Sequence, residues 1–260
     1  MKPLVRLLAL LTLPFAAGCF ETDQKTTLYP DGSGKLVWTI GIKVDKGDED
    51  PVKEEKIDEM AENTEGIVAW AEPRIAQEDG WVKVTLVAYF EDINAVKFRK
   101  EGSEDELMLS YKYVRNGDGG TLAVNDAMSK DMKPRDDKKD EPQDPEAKKF
   151  AEEMAKQMRE AMKGMRLAVS VKVPGAVTEA GGWNGRDGRT ASLVIDDKMI
   201  FEAEDDPEAK KKLEALGGSL TVTWAKNEVP AAELAEFRNE LAAAKAAWEK
   251  RKAEKAGEKK

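Results

Sequence analysis

The chain has 260 residues, of which 41% are hydrophobic and 36% are charged. This length is enough for one large or two small domains with a buried core. The formal net charge of −9 argues against a general nucleic-acid-binding protein, which needs a basic face. The absence of histidine and the single cysteine exclude histidine-based catalysis, intramolecular disulfide bonds and cysteine-cluster metal sites. We therefore predict a non-enzymatic protein with no catalytic residue, cofactor or metal ligand.

Residues 1–18 are predicted to be a lipoprotein signal peptide. A basic start precedes an apolar run at residues 7–15, which is too short to span a membrane and typical of a signal-peptide core. The next four residues, Ala-Ala-Gly-Cys, resemble the lipobox of bacterial lipoproteins, with Ala16 in place of the usual Leu. The resemblance implies cleavage between Gly18 and Cys19 and attachment of a palmitate-containing lipid to the Cys19 thiol. The alternative is an ordinary secretory signal that contains a chance cysteine.

A lipid anchor places the protein in the bacterial cell envelope, with the membrane as its first partner. Two or three acyl chains make such anchoring effectively permanent. By family analogy, an Asp directly after the Cys marks inner-membrane retention in some diderm bacteria, whereas this chain has Phe20. This favours the periplasmic side of the outer membrane over the inner membrane. The strand pattern begins within about ten residues of Cys19, which keeps the domain within roughly 35 Å of the headgroups.

Alternation of apolar and polar residues predicts an antiparallel sheet. A sheet with one buried apolar face and one solvent-exposed polar face is typical of antiparallel rather than doubly wound parallel sheets. The alternating runs are residues 36–42, 82–90, 107–113, 167–173 and 220–224, and turn-forming residues lie at 30–34, 78–80 and 116–120. The predicted fold class is α+β: antiparallel β-sheets built from hairpins, covered by a few helices, with a long polar C-terminal helix.

Helix starts are predicted where an Asp is followed by a Pro, since Asp caps the helix and Pro suits its first position. These pairs lie at residues 50–51, 144–145 and 206–207. The helix near 145–163 carries Met154, Met158 and Met162 at a spacing of four. We interpret these methionines as one wall of a site for a lipid or another apolar ligand, because Met adapts to varied apolar shapes. The alternative is that they pack the helix onto the sheet.

The charged stretch 125–143 is predicted to be a mobile linker, because it cannot bury enough apolar area to offset its ordering entropy. It would divide an N-terminal β-rich lobe at 19–124 from a second α+β lobe at 144–225. Residues 226–260 are predicted to form the C-terminal helix and a basic tail. That tail could touch anionic headgroups or the cell wall, or it could be a solvated end.

The C-terminal helix carries a narrow apolar seam at alternating steps of three and four. Its candidate partner-binding residues are Leu234, Phe237, Leu241 and Trp248. Such a seam could pair with a partner helix or with a second copy of the chain, or it could dock on its own domain.

Two segments resemble the LppM-like family of bacterial lipoproteins. The first, residues 28–36, contains Pro-Asp-Gly-Ser-Gly and is similar to the hairpin that opens the family's domain after the anchor. The second, residues 166–195, contains Val173-Pro-Gly-Ala-Val177, similar to the family's Phe-Pro-Gly-x-Val with Val173 in place of Phe, followed by a Gly-rich hairpin. The strand at 192–195 lacks the family's Trp. The resemblance implies an α+β envelope domain, with lipid or glycolipid binding suggested for some members, and transfers no catalytic residue.

Two functions fit the sequence. The first is an anchored protein that binds a lipid or another apolar ligand, for which we expect an apolar cavity of several hundred Å³. The second is an envelope scaffold that holds a protein partner through the C-terminal helix, for which we expect a filled core and an exposed apolar seam.

Overall fold

The computed structural model describes residues 20–43, 61, 63–78, 80–99, 107–126, 163–216 and 220–258, and the helical positions 149, 153, 154, 156, 157, 159, 160 and 162. The predicted signal peptide with Gly18 and Cys19, the predicted wall residue Met158, and positions 127–143 of the predicted linker lie outside the described residues.

The described strands form two sheets. Sheet A contains β1 (Phe20–Leu28), β2 (Gly34–Lys43), β4 (Ile67–Trp70), β5 (Arg74–Glu78), β6 (Trp81–Phe90), β10 (Arg166–Lys172), β12 (Gly185–Asp187) and β13 (Thr190–Asp196). Sheet B contains β3 (Thr64–Glu65), β7 (Lys97–Arg99), β8 (Leu107–Asn116), β9 (Gly119–Asp126), β11 (Val177–Gly181) and β14 (Leu220–Trp224). The order in sheet A is β12-β13-β10-β1-β2-β6. On the side of β6 that faces away from β2, β5 pairs with residues 81–85 and β4 pairs with residues 88–90. The order in sheet B is β11-β14-β9-β8-β7-β3.

The predicted α+β class and the antiparallel sheets are confirmed, with one exception to the pairing. β1 pairs antiparallel with β2, where Thr26 lies opposite Leu36, and parallel with β10, where Thr26 lies beside Val171. This parallel pair joins segments that are far apart in the sequence. Each sheet therefore contains strands from both predicted lobes, and the division into two lobes is wrong. The predicted linker also begins too early, because residues 125–126 end β9.

The two sheets pack face to face over a shared core. Each predicted alternating run lies in a strand, and its apolar set faces the other sheet, as shown by the buried side chains of Leu36, Val84 and Val222. Across the interface the Trp38 ring contacts the Phe98 ring edge-on, with centroids 4.8 Å apart. Large side chains from both sheets fill the space between them, and this burial is the main favourable contribution to the stability of the fold.

Three α-helices have complete bounds: α1 (Asp197–Asp205), α2 (Pro207–Ala215) and α3 (Ala231–Glu258). The start of α2 is as predicted, since the Asp206 carboxylate accepts a hydrogen bond from the backbone nitrogen of Glu208, and Pro207 occupies the first turn. α3 is the predicted long C-terminal helix. Within the described part of the chain, no helix is both long enough and apolar enough to cross a membrane.

Gly34, at the start of β2, lies where only a glycine fits. A Cβ atom added there would come within 1.9 Å of the Thr27 carbonyl oxygen and 2.6 Å of the Phe90 ring. We expect Gly34→Ala to lower the free energy of unfolding by about 1–3 kcal/mol, because backbone and a buried ring must move. The matched control is Gly257→Ala, since an added Cβ at Gly257 in α3 meets open space. Urea denaturation of both variants checks the prediction, and equal stability of the two would contradict it.

Candidate functional site

One end of the sandwich is closed by helices instead of by sheet. At this end, α1, α2 and Met162 pack against side chains that face the interior of the sandwich. These side chains come from the start of β1 and β10 and from the end of β2 and β13. We call this group the end cluster. Its buried members are Phe20, Met162, Met165 and Ile200, and its partly buried members are Ile40, Leu167, Ile195, Phe201 and Leu213.

A glycine turn and an aspartate build this end of the molecule. Gly164 has φ of +77°, a conformation that suits glycine, and it turns the chain from the helical residues into β10. Its backbone nitrogen donates to the Asp197 carboxylate at 2.6 Å, and the Asp197 nitrogen donates to the Met165 carbonyl at 3.1 Å. These bonds hold Met162 and Met165 against the first turn of α1.

The predicted methionine wall is divided between two environments. Met162 belongs to the end cluster, whereas Met154 is 46% exposed. A single wall that contains both residues is therefore not what the structure shows. Nearby, the Arg159 guanidinium lies over the Phe201 ring, 5.3 Å from its centroid, and its Nε donates to Glu204 at 3.1 Å. This ion pair gives the apolar cluster a polar outer rim.

The predicted partner-binding seam packs against its own chain. Phe237 is 2% exposed and stacks on Tyr29 with centroids 4.2 Å apart. Leu234, Leu241 and Trp248 pack on the same cluster, which covers the outer face of sheet A. Phe237 is buried and the other three residues are partly buried against their own domain, so binding of a partner through these four residues stays a prediction. The alternative that the seam docks on its own domain is the one observed.

Polar contacts fix α3 across sheet A. The Lys35 Nζ of β2 donates to both oxygens of Glu240 at 2.8 and 2.9 Å, and the Tyr89 hydroxyl of β6 donates to the same carboxylate at 2.8 Å. Near the start of the helix, Glu233 pairs with Lys172 at 2.7 Å and with Arg189 at 3.0 Å. The helix is thereby held to both halves of the sheet.

The pKa values of these groups follow from the same contacts. Burial disfavours ionisation of Glu240, but the hydrogen bonds from Lys35 and Tyr89 outweigh it, so the pKa of Glu240 is lowered. Burial, together with the negative charges of Glu233 and Glu240, raises the pKa of Tyr29 to about 12. Glu240 therefore stays charged and Tyr29 neutral near neutral pH.

An open groove of about 580 Å³ runs beside α3 on sheet A. The residues that line it are Lys35, Val37, Ala71, Glu72, Pro73, Arg74, Thr85, Val87, Tyr89 and Glu240. No pattern in the sequence indicates this groove, because its walls come from four distant segments and carry no motif. Its two cations and two carboxylates balance in charge. Among the described residues, no group of three or more acidic or cysteine side chains could hold a metal ion.

Comparison with known proteins gives a similarity in structure. No known family matches the sequence, and no curated protein matches it. The chain is similar in structure to the folded domain of the Mycobacterium tuberculosis LppM protein, determined by NMR. The two are 10% identical, the match covers 84% of this chain and 96% of that chain, and the TM-score is 0.38.

The lowered pKa of Glu240 makes the docking of α3 dependent on pH. Because its folded-state pKa lies below the ordinary value of 4.5, the stabilisation is present above that pH and is lost as pH falls below it. We expect Glu240→Gln to cost about 0.5–1 kcal/mol at pH 7, allowing for solvent screening, and much less at pH 3. Urea unfolding at both pH values measures this difference.

The control for this experiment is Glu249→Gln, an exposed position on the same helix that pairs only with Lys252 among the ion pairs described. We expect it to change stability by less than about 0.5 kcal/mol at either pH. A Glu240→Gln penalty that is the same at pH 3 as at pH 7 would show that the carboxylate charge does not hold the helix.

Proposed function

We propose that the chain is a lipid-anchored protein of the bacterial cell envelope that binds a lipid or another apolar ligand and catalyses no reaction. The observation that carries the proposal is the position of Phe20. It is the residue after the predicted anchor Cys19, it is 8% exposed, and it is both the first residue of β1 and a member of the end cluster.

This position puts the anchor directly beside the domain. An extended chain covers at most about 3.6 Å per residue, so lipid on Cys19 holds Phe20 and the end cluster at the bilayer surface. The strand therefore begins much closer to the anchor than the ten residues that the sequence pattern indicated. A ligand that leaves the bilayer meets the end cluster first. Phe20 in place of Asp also keeps the periplasmic side of the outer membrane as the preferred location.

The end cluster is also where an apolar ligand can enter most easily. Between the sheets, where we expected an apolar cavity for a ligand-binding protein, side chains as large as Trp224 and Phe90 fill the described part of the core. Hydrogen-bonded strands cover this part of the core. At the end cluster the cover consists of α1, α2 and helical residues, which can shift without breaking a strand ladder. Met162 and Met165 suit such a site, because their unbranched side chains adopt many shapes.

The polar groups of the fold support a role without catalysis. Gln24 donates to the buried Tyr111 hydroxyl at 2.9 Å, and Lys35, Tyr89 and Glu240 satisfy one another. These groups hold the sheets and α3 together. A scaffold function through α3 is less well supported, because its apolar seam is covered by sheet A.

The anchor is tested by Cys19→Ser in cells fed with labelled palmitate. We expect the native chain to be labelled and recovered with membranes, and the variant to be unlabelled, because the thiol is the acceptor. The matched control is Thr22→Ser, a small change three residues further along the chain that leaves the thiol in place and should keep the label. Label that persists in Cys19→Ser would contradict the anchor.

Ligand binding is tested by mass spectrometry of organic extracts from a fragment of residues 20–260, purified without detergent. We expect a lipid near one per chain. Met154→Glu adds a charge at a 46% exposed helical position eight residues before Met162 of the end cluster, and it should reduce the lipid several-fold. The matched control is Val114→Glu, at a 44% exposed position on β8.

Lipid in the native fragment and in Val114→Glu, together with its loss in Met154→Glu, would support binding at the helix-closed end. A native fragment without lipid would contradict the ligand-binding function. Equal lipid in all three proteins would contradict the location of the site.

A further inference from the structure

Most edges of the two sheets are short or covered. Edge strands expose unpaired backbone groups that can bind another strand. At β4 the Arg251 side chain donates to the Trp70 carbonyl and α3 packs alongside. At β11 the Val177 nitrogen donates to the Gly188 carbonyl at 2.9 Å, and Arg186 donates to the Thr178 carbonyl at 2.8 Å. β12 has three residues and β3 has two.

β5 is the exception among these edges. Its five residues are all exposed, and it pairs with β6 on one side while no other described strand pairs with it on the other. Pro73, which has no backbone N–H, precedes it, and the turn at Gly80 follows it. The open edge therefore extends over Arg74–Glu78. Ile75 within it is 51% exposed, an unusual position for a large apolar side chain at a sheet edge.

We propose that β5 pairs antiparallel with β5 of a second copy of this chain, about a two-fold axis at Ala76. In this register Arg74 of each copy lies opposite Glu78 of the other, so both ends of the pair carry opposite charges. Ile75 lies opposite Gln77, and the two Ile75 side chains become diagonal neighbours on the same face, where they can cover each other.

Charge complementarity selects a second copy as the occupant. The edge has a cation at its first position and an anion at its last, so only a strand with the same order of charges, running in the opposite direction, matches both ends. The chain supplies that strand itself. Because five residues form a small interface, the pair is expected to be reversible and dependent on concentration. Two copies on one bilayer would favour it by raising their local concentration.

The pairing has a consequence for orientation that rests on the proposed anchor, although the pairing itself does not. Antiparallel pairing reverses the strand direction between the copies. Two copies anchored through Cys19 in one bilayer therefore pair with their strands lying along the membrane surface. Phe20 of both copies then stays at the membrane.

Charge reversal tests the pairing in the full chain. Two differently tagged copies are co-expressed, and the amount of one recovered with the other is measured. We expect Arg74→Glu in both copies, or Glu78→Arg in both, to reduce recovery at least about tenfold, because like charges then face each other at both ends. Co-expression of an Arg74→Glu copy with a Glu78→Arg copy should restore recovery, as should both changes in the same chain.

The matched control is Lys112→Glu in both copies, an exposed charge reversal on β8 in sheet B, which should leave recovery unchanged. Thermal unfolding of each variant shows that these exposed changes leave the fold intact. Native copies that do not recover each other would overturn the proposal, as would single reversals without effect or a mixed pair that fails to recover. Palmitate labelling in the same cells tests lipid attachment at Cys19 independently of the pairing.

Cysteine cross-linking tests the register. In an antiparallel pair centred on Ala76, the two Cβ atoms at that position lie about 4.5–5.5 Å apart. Ala76→Cys in the full chain should therefore give a disulfide-linked dimer on mild oxidation, whereas Lys112→Cys and the native chain should not. Recovery of native copies without a cross-link at position 76 would overturn the pairing through β5.

Discussion

β1 is the strand on which both the fold and the proposed membrane position depend. It pairs antiparallel with β2 and parallel with β10, so it joins the two halves of the chain into one sheet. It also begins at Phe20, directly after the predicted lipid anchor, and Phe20 is packed into the end cluster. If lipid is attached to Cys19 as proposed, the backbone ladder of β1 transmits the position of the anchor to the whole sandwich.

α3 determines which surfaces remain available. Its apolar seam covers the outer face of sheet A, and carboxylates at Glu233 and Glu240 fix it to lysine, arginine and tyrosine side chains of the sheet. Near its far end, Arg251 caps the edge of β4. A helix that could have bound a partner is thereby part of the fold. Among the described residues, it leaves open the helix-closed end beside Phe20, the groove beside α3 and the edge of β5.

Alternation of apolar and polar residues predicts the strands that have one buried apolar face and one exposed polar face. Alternation at residues 82–90 predicts β6, and Asp206 with Pro207 predicts the start of α2. β1 gives no such signal, because Gln24 and Thr26 occupy its interior face and the burial of Gln24 depends on a hydrogen bond to Tyr111, which is far away in sequence. The parallel pairing of β1 with β10 also cannot be predicted from the sequence, because pairing between distant segments leaves no local pattern. The seam of α3 was visible, but periodicity does not show what covers an apolar face. The end cluster and the β5 edge depend on topology and could not be predicted.

The central claim, that β1 holds the helix-closed end at the bilayer, can be measured directly. Lys198, exposed on α1, is replaced by cysteine and labelled with a fluorophore in the anchored protein, and lipids with a quencher on the headgroup are added to the vesicles. Strong quenching is predicted, and it should be lost when fifteen Gly and Ser residues are inserted between Cys19 and Phe20. Fluorescence that is not quenched in the native connection, or quenching that is unchanged by the insertion, would contradict the claim.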